Sequence, residues 1–432
     1  MTNEIIIAGR RIGAAHPPLV IAEIGINHGG DLAVAKEMVR LAAGAGCEMV
    51  KHQTHILEDE MTDEAKAIFP PNADVSIWHV MERCALTLDE EAELKHYTES
   101  LGMIWISTPF SRAAADYLEG LDVPAYKIGS GEADNLPLIR HIARKGKPVI
   151  LSTGMQTIDT IRASVDILDR AGVPYALLEC TNLYPSPAEI VSLRGVTELR
   201  EAFPKAVVGF SDHSIGPEMA LASVALGASI LERHYTDTRY RKGPDIINSM
   251  DPAELRFLVD RSKEIWIAAN NPKQRSAPEE DVYRFARGSV VADADLPQGH
   301  VIAEADIWAR RPGSGEIAAY DFDKVIGKRL TRAVTRNTQL KWADLGINLG
   351  ASGRRLEGFA PLQTSPQDIS CRVLTRRAGF RGRSSGGSAS GSCPDCCIGT
   401  RTLSSAWGRS SGPCRGTSQG GSWRIPRRPR CR

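Results

Sequence analysis

From residue 18 to about residue 270, short apolar, β-branched runs alternate with stretches of helical period. Eight runs read as strands: 19–25, 49–54, 103–108, 125–129, 148–153, 175–181, 206–211 and 228–234. Helical patterns follow them, among them 32–45, 111–118, 135–145, 158–171, 218–226 and 253–269. Eight β/α units in roughly 250 residues predict a (β/α)8 TIM barrel over residues 1–269, of class α/β. A doubly wound sheet is the structural alternative. Residues 270–283 open with a polar stretch containing Pro272 and Pro278 and read as a linker. Residues 284–346 carry short β-like runs and frequent turn residues, which predicts a small β-rich second domain.

Charge separates a further segment. The whole chain of 432 residues has a net charge of +1, but residues 351–432 hold 15 Arg, no Lys and 3 acids. Residues 1–350 therefore hold 38 basic and 49 acidic residues, and this acidic body has no electrostatic reason to bind nucleic acid. In residues 351–432, Leu, Ile, Val and Phe number 10 of 82, too few to offset the entropy of ordering the segment, so 347–432 is predicted to be disordered. A zinc site built on Cys393, Cys396 and Cys397 lacks suitably spaced partners, because Cys414 and Cys431 are isolated and the segment has no His. A basic nucleic-acid arm predicts binding that collapses with salt. The Arg-only, Ser/Gly/Pro/Cys-rich composition best matches a shifted reading frame in GC-rich DNA, which sequencing an independent clone tests. Three scattered cysteines in the body, Cys47, Cys84 and Cys180, fit a reducing compartment. No apolar run approaches a membrane span, and residues 1–11 lack a secretory pattern, so a cytoplasmic protein that binds no membrane is expected.

Barrel enzymes carry their chemistry at the C-terminal strand ends. Here those ends supply Glu23, Lys51, Gln53, Thr108, Lys127, Ser130, Glu132, Ser152, Asn182, Tyr184, Ser211, His213, Glu232 and His234. Two lysines with several hydroxyls suit a phosphorylated or strongly anionic ligand. His213 and His234, on neighbouring strands and each beside an acid that could orient it (Asp212, Glu232), could hold one divalent metal with open coordination positions. His52 and His55 are spaced by three, which does not fit strand alternation, and they read as structural or rim residues. No Walker motif and no strand-to-helix GxGxxG is present, which argues against a nucleotide enzyme.

Ordered motifs then carry a resemblance. Ile21-Ala-Glu-Ile-Gly-Ile-Asn-His-Gly-Gly30, Lys51-His-Gln-Thr-His55, Ile106-Ser-Thr-Pro-Phe110, Ala125-Tyr-Lys-Ile-Gly-Ser-Gly-Glu132, Leu151-Ser-Thr-Gly-Met155, Cys180-Thr-Asn182 with Tyr184-Pro, Gly209-Phe-Ser-Asp-His213 and Ile230-Leu-Glu-Arg-His234 resemble bacterial N-acetylneuraminate (sialic acid) synthases. Ser289-Val-Val-Ala-Asp293 and Arg311-Pro-Gly resemble their SAF (antifreeze-like) domain. The resemblance implies condensation of phosphoenolpyruvate with N-acetylmannosamine and water to N-acetylneuraminate and phosphate. It implies Mn2+, or another divalent ion such as Mg2+ or Co2+, on His213 and His234. It places Lys51, Thr108, Lys127, Ser130, Ser152, Asn182 and Ser211 on phosphoenolpyruvate, and Tyr184 and Asp245 on the amino sugar. Glu23 and Glu132 fall near the reacting carbons. Arg311 reaches the partner's site in a domain-swapped homodimer. Glu179, where many relatives have His, and Arg287, where some have an aromatic residue, bear on substrate choice. Legionaminate and pseudaminate synthases are the alternatives with the same chemistry, and a non-catalytic sugar-binding barrel is the alternative from another class.

Overall fold

A computed structural model describes residues 3–70 and 75–347. The chain divides into two units, Met1–Ala351 and Ser352–Arg432, and the described residues belong to the first. The predicted disordered segment, with its zinc, nucleic-acid and shifted-frame readings, lies outside them.

An antiparallel hairpin, β1 (Glu4–Ile7) and β2 (Arg10–Gly13), precedes the barrel. Eight parallel strands then close on themselves: β3 (Leu19–Gly25), β4 (Met49–Thr54), β5 (Ile104–Pro109), β6 (Tyr126–Ile128), β7 (Val149–Ser152), β8 (Tyr175–Cys180), β9 (Val207–Asp212) and β10 (Ile230–His234), with β10 pairing β3. All eight predicted strands are present, with ends within two residues of expectation. Side-chain alternation divides the core in two. Inward-facing Leu19, Ile21, Met49, Ile106, Ala125, Ile150, Ala176, Leu178, Val207 and Ile230 fill the barrel, and Ile5, Ile7 and Ile12 of the hairpin join them. Outward-facing residues such as Val50, Trp105, Tyr126, Leu177 and Phe210 meet the apolar faces of the helices. The hairpin was not anticipated, because two four-residue strands carry too short a pattern to register.

Helix limits follow local chemistry. Asp31 accepts from the amides of Ala33 and Val34 and starts the helix Leu32–Gly44. Thr157 caps Ile158–Ala171, which stops at Gly172 in the left-handed region (φ 67°). Asp251 caps Pro252–Ala269, with proline at its first turn.

Gly209 faces the barrel interior, and an added methyl would lie 2.5 Å from both the Ile230 carbonyl oxygen and Leu178 Cδ2. Because one of these is backbone, Gly209→Ala is expected to cost about 1–3 kcal/mol in overpacking. Thermal melts check this against Gly44→Ala, where nothing lies within 4 Å of the new methyl.

The region predicted as a linker contains a 3-10 turn (Ala277–Glu279) running into a helix (Glu280–Ala286). The β-rich segment beyond it pairs β11 (Ser289–Ala292) with β12 (Ile307–Arg310) antiparallel. Its own core includes Val290, Leu296, Ile302, Ile307, Ile317, Leu330, Val334 and Leu340. Among the described residues no helix is long and apolar enough to cross a membrane.

Candidate active site

Strand parity builds the site. Two residues beyond the apolar plug of Ile21, Met49, Ile106, Ala125, Ile150, Leu178 and Ile230, on the same inward face, stand Glu23, Lys51, Thr108, Lys127, Ser152, Cys180 and Glu232. Ser211 and His234 continue the same alternation on β9 and β10. With Gln53, Phe110, Gly129, Ser130, Gly131, Glu132, Asn182, Tyr184 and His213 they line a chamber of about 180 Å³ at the C-terminal end of the barrel.

Two cations organise it. Lys51 Nζ lies 2.8 Å from Glu23 Oε2, donates to Thr108 Oγ1 (3.0 Å) and lies 3.8 Å from Glu232 Oε1. Lys127 Nζ donates to Ser152 Oγ (2.7 Å) and lies 3.7 Å from Glu232. Burial pushes Glu23 up to about 7 against the pull of Lys51. Burial raises Glu232 too, but Lys127 and then Lys51 outweigh it and hold that carboxylate below its ordinary range. Burial also lifts Glu132 to about 7, with Glu60 adding to the effect. The chamber thus holds two carboxyls able to gain or lose a proton near neutrality, and one fixed anion between two ammonium groups. Gly154 packs against two of the lining residues: its amide donates to Ser130 Oγ (3.1 Å), and a methyl at this position would strike Asn182 Oδ1 at 2.0 Å.

His213 and His234 face one another with ring centroids 5.4 Å apart, and the Tyr184 ring lies 4.2 Å from that of His213. The acids expected to orient them do not. Asp212 faces outward, where it lies 3.5 Å from Arg233 and accepts from the Ser214 amide, while Glu232 serves the lysines. His213 Nδ1 instead donates to the Thr181 carbonyl (2.8 Å), which leaves Nε2 with its lone pair. His234 Nδ1 is buried without a hydrogen-bond partner, and Asp245 Oδ2 is 3.8 Å away. Burial lowers His213 to about 4, helped by His234, and His234 to about 3, helped by Lys51. Two neutral imidazoles, one with an orphaned nitrogen, are a donor set that could hold a divalent ion and would leave it open positions. Among the described residues no cluster of three or more His, Cys, Asp or Glu forms a closed metal cage.

A second chamber, of about 260 Å³, shares Gln53, Tyr184 and His234 with the first. Asp245 lines it, together with Ile26, Pro70, Ile77, Val80, Met81 and Pro244. Burial raises Asp245 to about 6. Arg311 lines neither chamber of its own chain; its guanidinium lies 5.9 Å from the Phe285 ring centroid. Arg287 stacks on Tyr283 at 4.4 Å. Glu179 occupies an outward position on β8, packed over Gly195, so it does not line the chamber. Glu232 and Gln53 were visible at strand ends but not assigned to the ligand site; inward parity with His234 and Lys51 is the signal that finds them.

His52 also points outward. The Gly30 amide donates to His28 Nδ1, so His28 Nε2 carries the proton that it shares with His52 Nε2 (3.1 Å). His52 Nδ1 then lies 3.8 Å from Glu91, which accepts from Thr54 (2.8 Å). Burial pushes Glu91 to about 8. The unfolded chain ionises this carboxyl in the ordinary range and the folded chain does not, so its contribution to stability falls as pH rises toward about 8. Glu91→Gln, neutral throughout, is expected to gain on the wild type in denaturant unfolding as pH rises from about 5 to about 8.

Comparison with known proteins follows the same lines. The NeuB family model matches residues 38–274, and the SAF domain model matches residues 287–346. The N,N'-diacetyllegionaminic acid synthase of Campylobacter jejuni is 34% identical over 322 residues, covering 73% of this chain and 96% of that protein. The N-acetylneuraminate-9-phosphate synthase of Homo sapiens is 35% identical over 331 residues, covering 74% and 91%. A crystal structure of N-acetylneuraminic acid (sialic acid) synthetase from Leptospira borgpetersenii, in complex with citrate, aligns with a TM-score of 0.60 at 30% identity, covering 65% of this chain and 95% of that one. A TIM barrel with paired lysines and histidines at its mouth, a C-terminal SAF domain and these relatives agree: the chain belongs to the NeuB family.

Proposed function

We propose that this protein condenses phosphoenolpyruvate with the open-chain aldehyde of N-acetylmannosamine, consuming water and releasing phosphate to give N-acetylneuraminate. The observation that carries this reading is the convergence of two buried lysines, the Thr108, Ser130, Ser152 and Ser211 hydroxyls and two imidazoles in one chamber. Lys127 with Ser130, Ser152, Ser211 and Asn182, and Lys51 with Thr108, would take the charged groups of phosphoenolpyruvate. Tyr184 and Asp245 line the adjoining chamber, where the sugar would lie. That chamber has no Lys or Arg among its described lining residues, which favours an uncharged sugar over a phosphorylated one.

The methylene carbon of phosphoenolpyruvate attacks the aldehyde carbon, whose oxygen takes a proton, and positive charge develops on the carbon bearing phosphate. Water adds there, and the tetrahedral intermediate expels phosphate by carbon–oxygen cleavage. Glu23, poised near neutrality, takes the proton of the attacking water, and Glu132 is the second carboxyl able to exchange one. Lys51 and Lys127 stabilise the leaving anion. A divalent ion such as Mn2+ on His213 and His234 would supply Lewis-acid polarisation of the aldehyde oxygen. Phosphate release measured with phosphoenolpyruvate, Mn2+ and a panel of sugars tests the reading. Release is expected with N-acetylmannosamine and not with its 6-phosphate; release with a diacetamido sugar alone would move the substrate to the legionaminate or pseudaminate branch.

A domain-swapped homodimer completes the proposal, with Arg311 serving the partner's site. Met155, Ile215 and Tyr240, on loops after β7, β9 and β10, are 70%, 64% and 98% exposed in the single chain, and Phe285 is 68% exposed, which supports a covered mouth. Co-expressed Glu23→Gln and Arg311→Ala chains should regain activity, because one site of each hybrid is then intact. Two inactive chains that stay inactive together would place Arg311 in its own subunit's site.

A further inference from the structure

The Lys51-His-Gln-Thr-His55 run contains a second histidine besides the outward-facing His52. His55 is buried at the chamber rim, its ring stacked on Phe110 at 4.5 Å with an interplanar angle of 10°. Its Nδ1 lies 2.9 and 3.1 Å from the two oxygens of Glu60, and its Nε2 lies 3.3 Å from Gln53 Oε1. Gln53 in turn donates from Nε2 to Glu23 Oε1 at 2.7 Å. The bulge at Gly25 makes room for this last contact: a methyl there would come within 3.0 Å of Glu23 Oε1 and 3.2 Å of Gln53 Nε2.

We infer that His55 and Glu60 act through Gln53 as positioning residues for Glu23. The direction of each hydrogen bond follows from what each atom can do. An ionised Glu23 only accepts, so the Gln53 amide nitrogen must face it. The Gln53 carbonyl oxygen then faces His55 and also only accepts. His55 must therefore donate from Nε2, while its Nδ1 lies against the Glu60 carboxyl. The two side chains are 1% and 11% exposed, so their contact is held inside the fold. The chain Glu60–His55–Gln53–Glu23 thus fixes one carboxylate oxygen of Glu23 while Lys51 holds the other. The inference rests on the proposed role of Glu23, and Gln53, like Tyr184 and His234, lines both chambers.

Nitrogen-15 spectra of the histidines in full-length protein at neutral pH test it, with His55 assigned from the signals lost in His55→Leu. A protonated Nε2 is expected in the wild type, and a shifted Nδ1 signal in Glu60→Gln, a rim substitution that leaves the core intact. Kinetics give the second arm. His55→Leu is expected to lower kcat by roughly 10–100-fold, the scale of a misplaced catalytic group, with the KM for phosphoenolpyruvate changed by less than about threefold. In a Glu23→Gln background the same change should have no further effect, because its target is gone. A His55 whose Nε2 carries no proton, or losses that multiply in the double variant, would overturn the inference. The spectra need no turnover, so they judge this arrangement apart from the reaction: wild-type protein silent with every sugar would defeat the functional reading instead.

Discussion

Glu23→Gln is expected to lower kcat for phosphate release by roughly 10²–10⁴-fold, the span of a lost general acid–base group. The variant keeps the volume of the side chain and a polar partner for Gln53, so the chamber keeps its shape. It removes the one carboxyl that touches Lys51 at 2.8 Å and is held near neutrality by burial. Lys51 loses a counter-ion in the process, and it retains Thr108 and the more distant Glu232. Phosphoenolpyruvate affinity should therefore hold or tighten while turnover collapses, a separation that titration calorimetry and steady-state kinetics resolve together. An equal loss of affinity and no loss of kcat would make Glu23 a binding residue only.

Removal of the proposed divalent ion should be equally severe. Loss of an electrophile worth several kcal/mol predicts a fall of at least about 10³-fold on exhaustive chelation. His234→Ala and His213→Ala should each abolish tight Mn2+ binding in a metal titration, a readout that needs no turnover. Phosphoenolpyruvate binding should persist in both variants, because lysines and hydroxyls, not imidazoles, would hold its charged groups. Full activity in chelator, or undiminished Mn2+ binding in both variants, would contradict the two-histidine site.

The barrel was legible because its strands are buried on both faces and read as continuous apolar runs, such as residues 19–22 and 149–151. Strand ends named most of the chamber: Glu23, Lys51, Thr108, Lys127, Ser152, Ser211 and His234 all line it. Facing direction was less legible. Glu232 and Asp212 both precede a histidine, yet Glu232 stands between the lysines while Asp212 faces Arg233 outside the barrel. Strand parity separates them, provided the inward face has first been fixed from residues such as Val207 and Ile230. Glu179, one position out of phase with Cys180, likewise faces away from the chamber. The chain His28–His52–Glu91 joins residues 24 and 39 positions apart, and no local pattern reports such a contact. Motif resemblance singled out Asp245 and Arg311 where local pattern did not: one sits on a loop beyond the last strand, and the other belongs to the second domain.

The most direct test of the central claim follows oxygen. Reaction of phosphoenolpyruvate with N-acetylmannosamine in 18O-labelled water, analysed by mass spectrometry, should yield N-acetylneuraminate together with phosphate free of solvent oxygen, because water adds to carbon and the carbon–oxygen bond breaks. Phosphate carrying solvent 18O, with no nine-carbon acid formed, would mean that water attacks phosphorus, and would contradict the condensation.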